Sequence, residues 1–303
     1  MAQLLELRAG PSVVAVSPET GGSITRYATD HAGGTIEWLR PALPDAVDAG
    51  SAGNTSCFPM VPFSNRIREA RFHFRGRLIQ LAQNFAPEPH AIHGHGWREA
   101  WQVIDGGERS ATIEYRHAAG AWPWAYRARQ AFALTQDRLT VRMSVANESL
   151  DPMPVGFGLH PYFVRTPGVR VRAGVQSMWS ADANAMPSRL VPPPDSLLLD
   201  GAGLSPDATP LDNNFIGFGG QAIIEWPEWN ARLWMTADPV FSCLVVYTPA
   251  GQDFFCAEPA TNCIDAFNLA DVGRTDTGML VVNPGETLSG VVTLTPETPR
   301  ALA

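Results

Sequence analysis

The residues able to move protons stand in a few short runs. In Pro154–Phe163, PVGFGLHPYF, His160 is the one titratable side chain among glycines and large apolar residues. Gly156 and Gly158 let the backbone approach something closely. Pro161 fixes the chain just after the histidine. Phe157, Tyr162 and Phe163 add aromatic surface. The run can line a pocket holding one imidazole, or carry a structural histidine on a buried strand. In Phe254–Leu269, FFCAEPATNCIDAFNL, Glu258 follows an apolar strand pattern and precedes Pro259. Proline tends to end strands. A carboxylate at the end of an apolar strand is partly desolvated, and its pKa rises toward the range of a general base. The other reading is a strand-end glutamate in solvent.

Three further runs could bind a ligand. Ser64, Asn65 and Arg66 are polar residues inside the apolar stretch VPFSNRI. The guanidinium fork suits hydroxyl pairs, carboxylates or phosphates, although a surface turn with a solvated arginine fits as well. Asp212 in LDNNF can accept hydrogen bonds from a ligand or cap a turn. In His90–Trp97, HAIHGHGW, His93 and His95 are two apart and on a strand would face one side. Such a pair could bind a metal, or a polar ligand with Trp97 or Trp101 as a stacking surface. The metal reading has a specific form: His93, His95, Glu99 and Gly106 fit half of a cupin pattern. Pro87 stands where that pattern wants a glycine, and His160 lies one position too far from Pro154 and Gly156.

Strand signals dominate the elements that must position these groups. Leu139–Val145, LTVRMSV, alternates apolar and polar residues, as a half-buried strand does. Thr112–Tyr115 and Ala231–Met235 alternate likewise. Arg71–Leu81 reads as two short strands around a turn at Arg75–Gly76. Cys243–Tyr247 is a β-branched run suited to a buried strand, and Val291–Leu294 supplies a late one. The 27 glycines and 26 prolines punctuate the chain too often for long helices. Many short strands with turns between them indicate a sandwich or barrel. Pro41–Asn54 and Met186–Pro210 read as loops. Similar strand patterns flank both, so one domain over residues 1–303 is expected, its long loops able to shape ligand choice.

Composition sets outer bounds. With 45% hydrophobic residues the chain can bury a large core. A net charge of −8 argues against a nucleic-acid partner. No apolar run has membrane-spanning length, and MAQLLELRAG does not read as a secretory leader. Cys57, Cys243, Cys256 and Cys263 form no CxxC pair, so free buried thiols and a cytoplasmic setting are expected. No feature marks an oligomer interface.

Taken in order, FSNRI, HAIHGHGW, PVGFGLHPYF, LDNNF and AEPATNCIDAFN resemble the aldose 1-epimerase (galactose mutarotase) family across residues 54–269. WPWAYRARQAFALTQDRLTVRMSVAN also resembles that family's central strands. The resemblance implies an all-β fold, a large and mainly antiparallel β-sandwich with sugar bound in an open cleft. It implies a reaction without cofactor or metal that interconverts the α and β anomers of a free aldose. Glu258 then matches the general base and His160 the general acid. His93 matches the histidine that holds the sugar near its ring oxygen and C1. Arg66 and Asp212 match sugar-hydroxyl contacts, with Asn65 beside them as a substrate-binding candidate. The chemistry is self-consistent, because glutamate and histidine titrate near ~4.3 and ~6.5 and each placed acid or base contributes about 10²–10⁴-fold. The glutamate run AEPATNCID departs from the galactose enzymes and leaves the sugar open. Arg68, Arg71 and Arg98 lie near the binding runs, so a hexose 6-phosphate is one alternative substrate. A non-catalytic sugar-binding protein on the same fold is another reading.

Overall fold

The computed structural model describes residues 4–182 and 184–298. The alternating run becomes the strand Leu139–Asn147, with Leu139, Val141, Met143 and Val145 buried and Arg142 exposed. Thr112–Tyr115 lies within the strand Ser110–His117, and Ala231–Met235 within Ala231–Ala237. Arg71–Phe74 and Arg77–Gln80 form the expected hairpin. Its turn residues Arg75 and Gly76 have φ of 51° and 77°, as a turn matching the strand twist requires. Val291–Leu294 belongs to Thr287–Glu297, which pairs on both sides and is central to its sheet.

One loop expectation is corrected. Met186–Pro210 is not loop throughout: Pro187–Val191 pairs with Ser177–Ala181 as an edge strand. Proline is tolerated at the first residue of an edge strand, where no ladder donor is missed. Pro41–Asn54 does lack strands and folds back on itself, Leu43 N donating to Asn54 O at 2.9 Å.

Two large antiparallel sheets carry the fold. One, of 11 strands, contains five that matter for function. They are β1 (Cys57–Met60), β2 (Gly158–Val164), β3 (Asp212–Ile216), β4 (Cys243–Tyr247) and β5 (Phe254–Ala260). Their order in space is β1-β2-β5-β4-β3. The other sheet has 8 strands and includes Ser110–His117, Tyr126–Leu134, Leu139–Asn147 and Thr287–Glu297. One apolar core draws on both, with Tyr27, Phe163 and Phe255 from the first sheet and Tyr126, Phe132 and Trp226 from the second. Each such side chain contributes about 1.5–3 kcal/mol by leaving water. Hydrogen bonds cross the same layer, from Gln130 Nε2 to Gly22 O at 2.8 Å and from Trp226 Nε1 to Val164 O at 2.9 Å. The four cysteines are buried and free. Among the described residues no helix is long and apolar enough to cross a membrane.

Candidate active site

Strand register builds the site. Phe58 pairs with His160 across β1 and β2, and Val245 pairs with Glu258 across β4 and β5. Between β2 and β5, Gly158 pairs with Ala260 and Tyr162 with Cys256, which sets His160 opposite Glu258. The stretch between those two pairs contains Pro161 and Pro259. Neither has an N–H for the ladder, so β2 and β5 lack regular pairing where the two titratable side chains face each other. The next row along the same face is Tyr162, Cys256, Tyr247 and Asp212. Tyr162, Tyr247 and Asp212 of this row line a cavity of about 500 Å³ with Arg40, Arg66, His93, His160 and Glu258, a size that suits a small polar ligand.

His160 Nε2 lies 3.2 Å from Glu258 Oε1. Both residues are buried, at 7% and 2% exposure. Burial pushes Glu258 well above the usual carboxylate range, and the Asp212 charge adds to it while Arg66 opposes. Burial pushes His160 down to about 3; a hydrogen bond to its own backbone opposes the shift, and the Arg40 charge adds to it. Both shifts disfavour charge, so the pair holds one proton between its facing atoms. The outer atoms, His160 Nδ1 and Glu258 Oε2, are buried, and Nε2 and Oε1 are the atoms that face each other for proton exchange. Glu258 is not at a strand end as expected, since β5 continues through Pro259 to Ala260. Its desolvation comes from lying mid-strand in the cavity wall.

His93 is held by the FSNRI segment. The Asn65 N–H donates to His93 Nδ1 at 3.1 Å, and the His93 N–H donates to Asn65 O at 3.0 Å. With Nδ1 accepting, a neutral His93 carries its proton on Nε2 and is a donor there. Burial, His160 and Arg66 all hold His93 well below its ordinary pKa. Its ring meets His160 edge-on at 5.2 Å between centroids. Asn65 lines the cavity, but its Oδ1 accepts from Arg66 N at 2.8 Å, so much of its polarity serves the loop. Arg66 pairs with Glu88 at 3.1 Å and approaches Asp212 at 3.6 Å. The segment itself is clamped by Asn262: Oδ1 accepts from Ser64 N at 3.0 Å and Nδ2 donates to Ser64 O at 3.1 Å. The close approach at Gly156 is to this amide and not to a ligand, because a Cβ there would sit 1.9 Å from Asn262 Oδ1.

The cupin set does not converge. His93 and His95 do not share a face, because His93 and Gly94 have φ of 56° and 67° and the chain is not extended between them. His95 turns to the other sheet, its Nε2 lying 2.8 Å from Tyr126 Oη and its ring 4.1 Å from His117. Glu99 is exposed. One group of potential metal donors occurs among the described residues: His160, Cys256 and Glu258, each with one atom within 4.8 Å of the others. A cation there would occupy the atoms available to proton transfer. Arg68 and Arg71, read as phosphate candidates, are not among the cavity residues. Arg68 pairs with Asp265 at 3.3 Å and Arg71 with Glu69. Arg98 donates to Asn84 O and lies over the Trp97 ring.

Sequence reasoning missed Arg40, Phe58, Tyr247, Phe254 and Gln252, all of which line the cavity. Phe58 stacks on His160 at 4.4 Å between ring centroids. The loop 41–54 contributes Leu43, Ser51, Gly53 and Asn54, whereas 186–210 contributes none of the lining residues.

The family model for aldose 1-epimerase matches residues 3–295. The uncharacterized protein YphB of Escherichia coli K12 is 33% identical over 285 residues, covering 90% of this chain and 96% of YphB. A crystal structure from Escherichia coli K12 superposes with a TM-score of 0.88 at 30% identity, over 99% of this chain and 100% of that one. A galactose mutarotase-like protein from Clostridium acetobutylicum shares the fold with a TM-score of 0.87 at 20% identity, over 98% and 96% of the two chains. The chain belongs to the aldose 1-epimerase family.

Proposed function

We propose that this protein is a cofactor-independent aldose 1-epimerase that interconverts the anomers of a free aldose by acid/base ring opening. The observation that carries the reading is the buried His160–Glu258 pair, 3.2 Å apart in a cavity of sugar size. Ring opening removes the proton of the anomeric hydroxyl and protonates the ring oxygen. The reacting form is the charged state of this pair, reached from the neutral one when the shared proton passes from Oε1 to Nε2, leaving Glu258 a carboxylate and His160 an imidazolium. Glu258 takes the O1 proton, the C1–O5 bond breaks, C1=O1 forms, and His160 gives its proton to O5. The pair still holds one proton, now on Glu258. Rotation about C1–C2 and the reverse steps close the other anomer and restore the starting form. His93 Nε2–H donates to the sugar near C1 and O5, and Arg66 and Asp212 hold hydroxyls. Residues 1–303 act as one domain in this reading.

Polarimetry on freshly dissolved α-glucose and α-galactose tests it. The wild type is expected to accelerate mutarotation of at least one aldose. Glu258→Gln is expected to cut the catalysed rate by about 10²–10⁴-fold while sugar binding, followed by ligand-observed NMR, persists. Full activity in Glu258→Gln would remove Glu258 as the base. Binding with no acceleration by wild type would favour a sugar-binding protein on this fold.

A further inference from the structure

The ring-opening chemistry leaves Arg40 without a role. It is 7% exposed and lines the same cavity as His160 and Glu258. Its guanidinium sits between two rings, 4.5 Å from the Tyr162 centroid and 4.7 Å from that of Phe254. Nη2 donates to Thr55 O at 2.8 Å and to Gly53 O at 3.4 Å, both neutral acceptors, and Nε is buried with no partner. No carboxylate among the described residues pairs with it, whereas the other cavity arginine, Arg66, has two acidic neighbours. Ser51, Asn54 and Gln252 line the cavity with it and are neutral donors, while the cavity's two carboxylates are Asp212 and Glu258. A buried cation without a counter-ion is costly unless a ligand supplies one. In a chain of net charge −8 this is a positive corner built into an acidic protein.

Position says which part of a sugar would meet it. The Arg40 N–H donates to Tyr162 O at 2.7 Å, so Arg40 flanks β2, the strand of His160. Asp212 lies on β3, with β5 and β4 between. Three strand spacings are about 14 Å. A ring with O1 at Glu258 and O5 at His160 points its C5 substituent away from Glu258, toward β2. We propose that Arg40 forms an anion subsite and that the preferred substrate is an aldose bearing a negative group on carbon 6, a carboxylate or a phosphate. A planar, permanently charged fork braced between two rings suits either group. The inference rests on the acid/base reading only for the direction of the sugar; the subsite itself stands on Arg40.

The test compares glucose with glucuronate and glucose 6-phosphate, and galactose with its two analogues. Anomer exchange is followed by NMR with the spontaneous rate subtracted, in wild type, Arg40→Lys and Arg40→Met. For at least one analogue, wild-type kcat/KM is expected to exceed that of the neutral parent by about 10- to 100-fold, the range of charge-assisted hydrogen bonds. The ratio should fall to near one in Arg40→Met and recover in part in Arg40→Lys. Preference for the uronate alone identifies a carboxylate, and for the 6-phosphate alone a phosphate. A wild-type ratio near one, with neutral sugars accelerated, overturns the subsite and leaves the acid/base reading intact. A preference untouched in Arg40→Met overturns the assignment to Arg40. If no sugar is accelerated, the acid/base reading fails by itself. Wild-type affinities from ligand-observed NMR then decide: tighter binding of the anionic sugars upholds the subsite, and equal binding overturns it. Should Arg40→Met not fold, Arg40→Lys is compared with wild type in 1 M salt. Loss of the wild-type preference in salt, with a reduced preference in Arg40→Lys, upholds the subsite, since screening weakens an ionic contact. A preference that neither change reduces overturns it.

Discussion

Glu258 and His93 are buried polar side chains in one cavity, yet removing them should affect stability in opposite ways. Glu258 has an unpartnered buried oxygen and a pKa driven up by burial. An amide of the same shape carries no charge to desolvate. Glu258→Gln is therefore expected to melt at or above the wild-type temperature. His93 Nδ1 instead satisfies the buried Asn65 N–H. His93→Ala orphans that donor and should cost about 1–3 kcal/mol, while kcat/KM falls. Thermal melts beside polarimetry check both, and a Glu258→Gln melt well below wild type would show that the carboxyl is a structural asset. His160, Glu258, His93, Arg66 and Asp212 were legible in the sequence because they are polar residues set in apolar or turn-rich runs. Arg40 was not, since WLRPALP resembles any strand end, and only the third dimension brings it over Tyr162. His95 was misplaced because the two-residue period holds only where the chain is extended, and His93 and Gly94 are left-handed.

At the scale of elements, the site depends on a clamp between two segments nearly two hundred residues apart. Asn262, just beyond β5, bonds both backbone groups of Ser64 and so fixes the segment that carries Asn65 and Arg66. Asp265 continues the clamp, accepting from Arg68 N at 2.9 Å and donating its own N–H to Arg66 O at 2.8 Å. Asn262→Ala leaves buried Ser64 groups unpaired and should cost about 1–3 kcal/mol. It should also lower kcat/KM by about 10- to 100-fold, because a small displacement of positioning groups is amplified in rate. Asn262→Ala with wild-type kcat/KM would mean that the segment holds its shape without the clamp. The strands were readable from period and composition, and the hairpin at Arg75–Gly76 from its turn residues. The clamp was not readable, since an asparagine after a strand carries no mark of its distant partner. Nor was the gap between β2 and β5, because Pro161 and Pro259 become informative only once the two strands are neighbours.

Across the whole molecule, neutral histidines join the sheets and the cavity, and this sets how the protein should respond to acid. His160 and His95 are pushed down to about 3, mainly by burial, and His93 is pushed well down by the same cause. His95 meets the 8-stranded sheet through Tyr126, while His93 and His160 face each other above the 11-stranded sheet. In the unfolded chain each binds a proton near pH ~6.5. A folded pKa below the unfolded one stabilises the fold above that pH, and the contribution is lost as pH falls through the window down to the folded value. The unfolded state thus gains protons that the fold refuses, starting about two units above the carboxylate range, at up to about 1.4 kcal/mol per pH unit for each such histidine. Glu258 works the other way: its raised pKa favours the fold at low pH and loses that contribution as pH rises through the raised value. One raised carboxyl cannot offset three depressed imidazoles between about pH 6.5 and 4.5, where an unfolded glutamate is itself mostly ionised. Stability from urea unfolding should therefore fall steadily from about pH 7 to about pH 5. His95→Gln, outside the cavity, should remove about one histidine's share of that slope without changing which sugars the protein takes. A flat profile over that range would mean that these imidazoles accept protons in place and that burial does not keep them neutral.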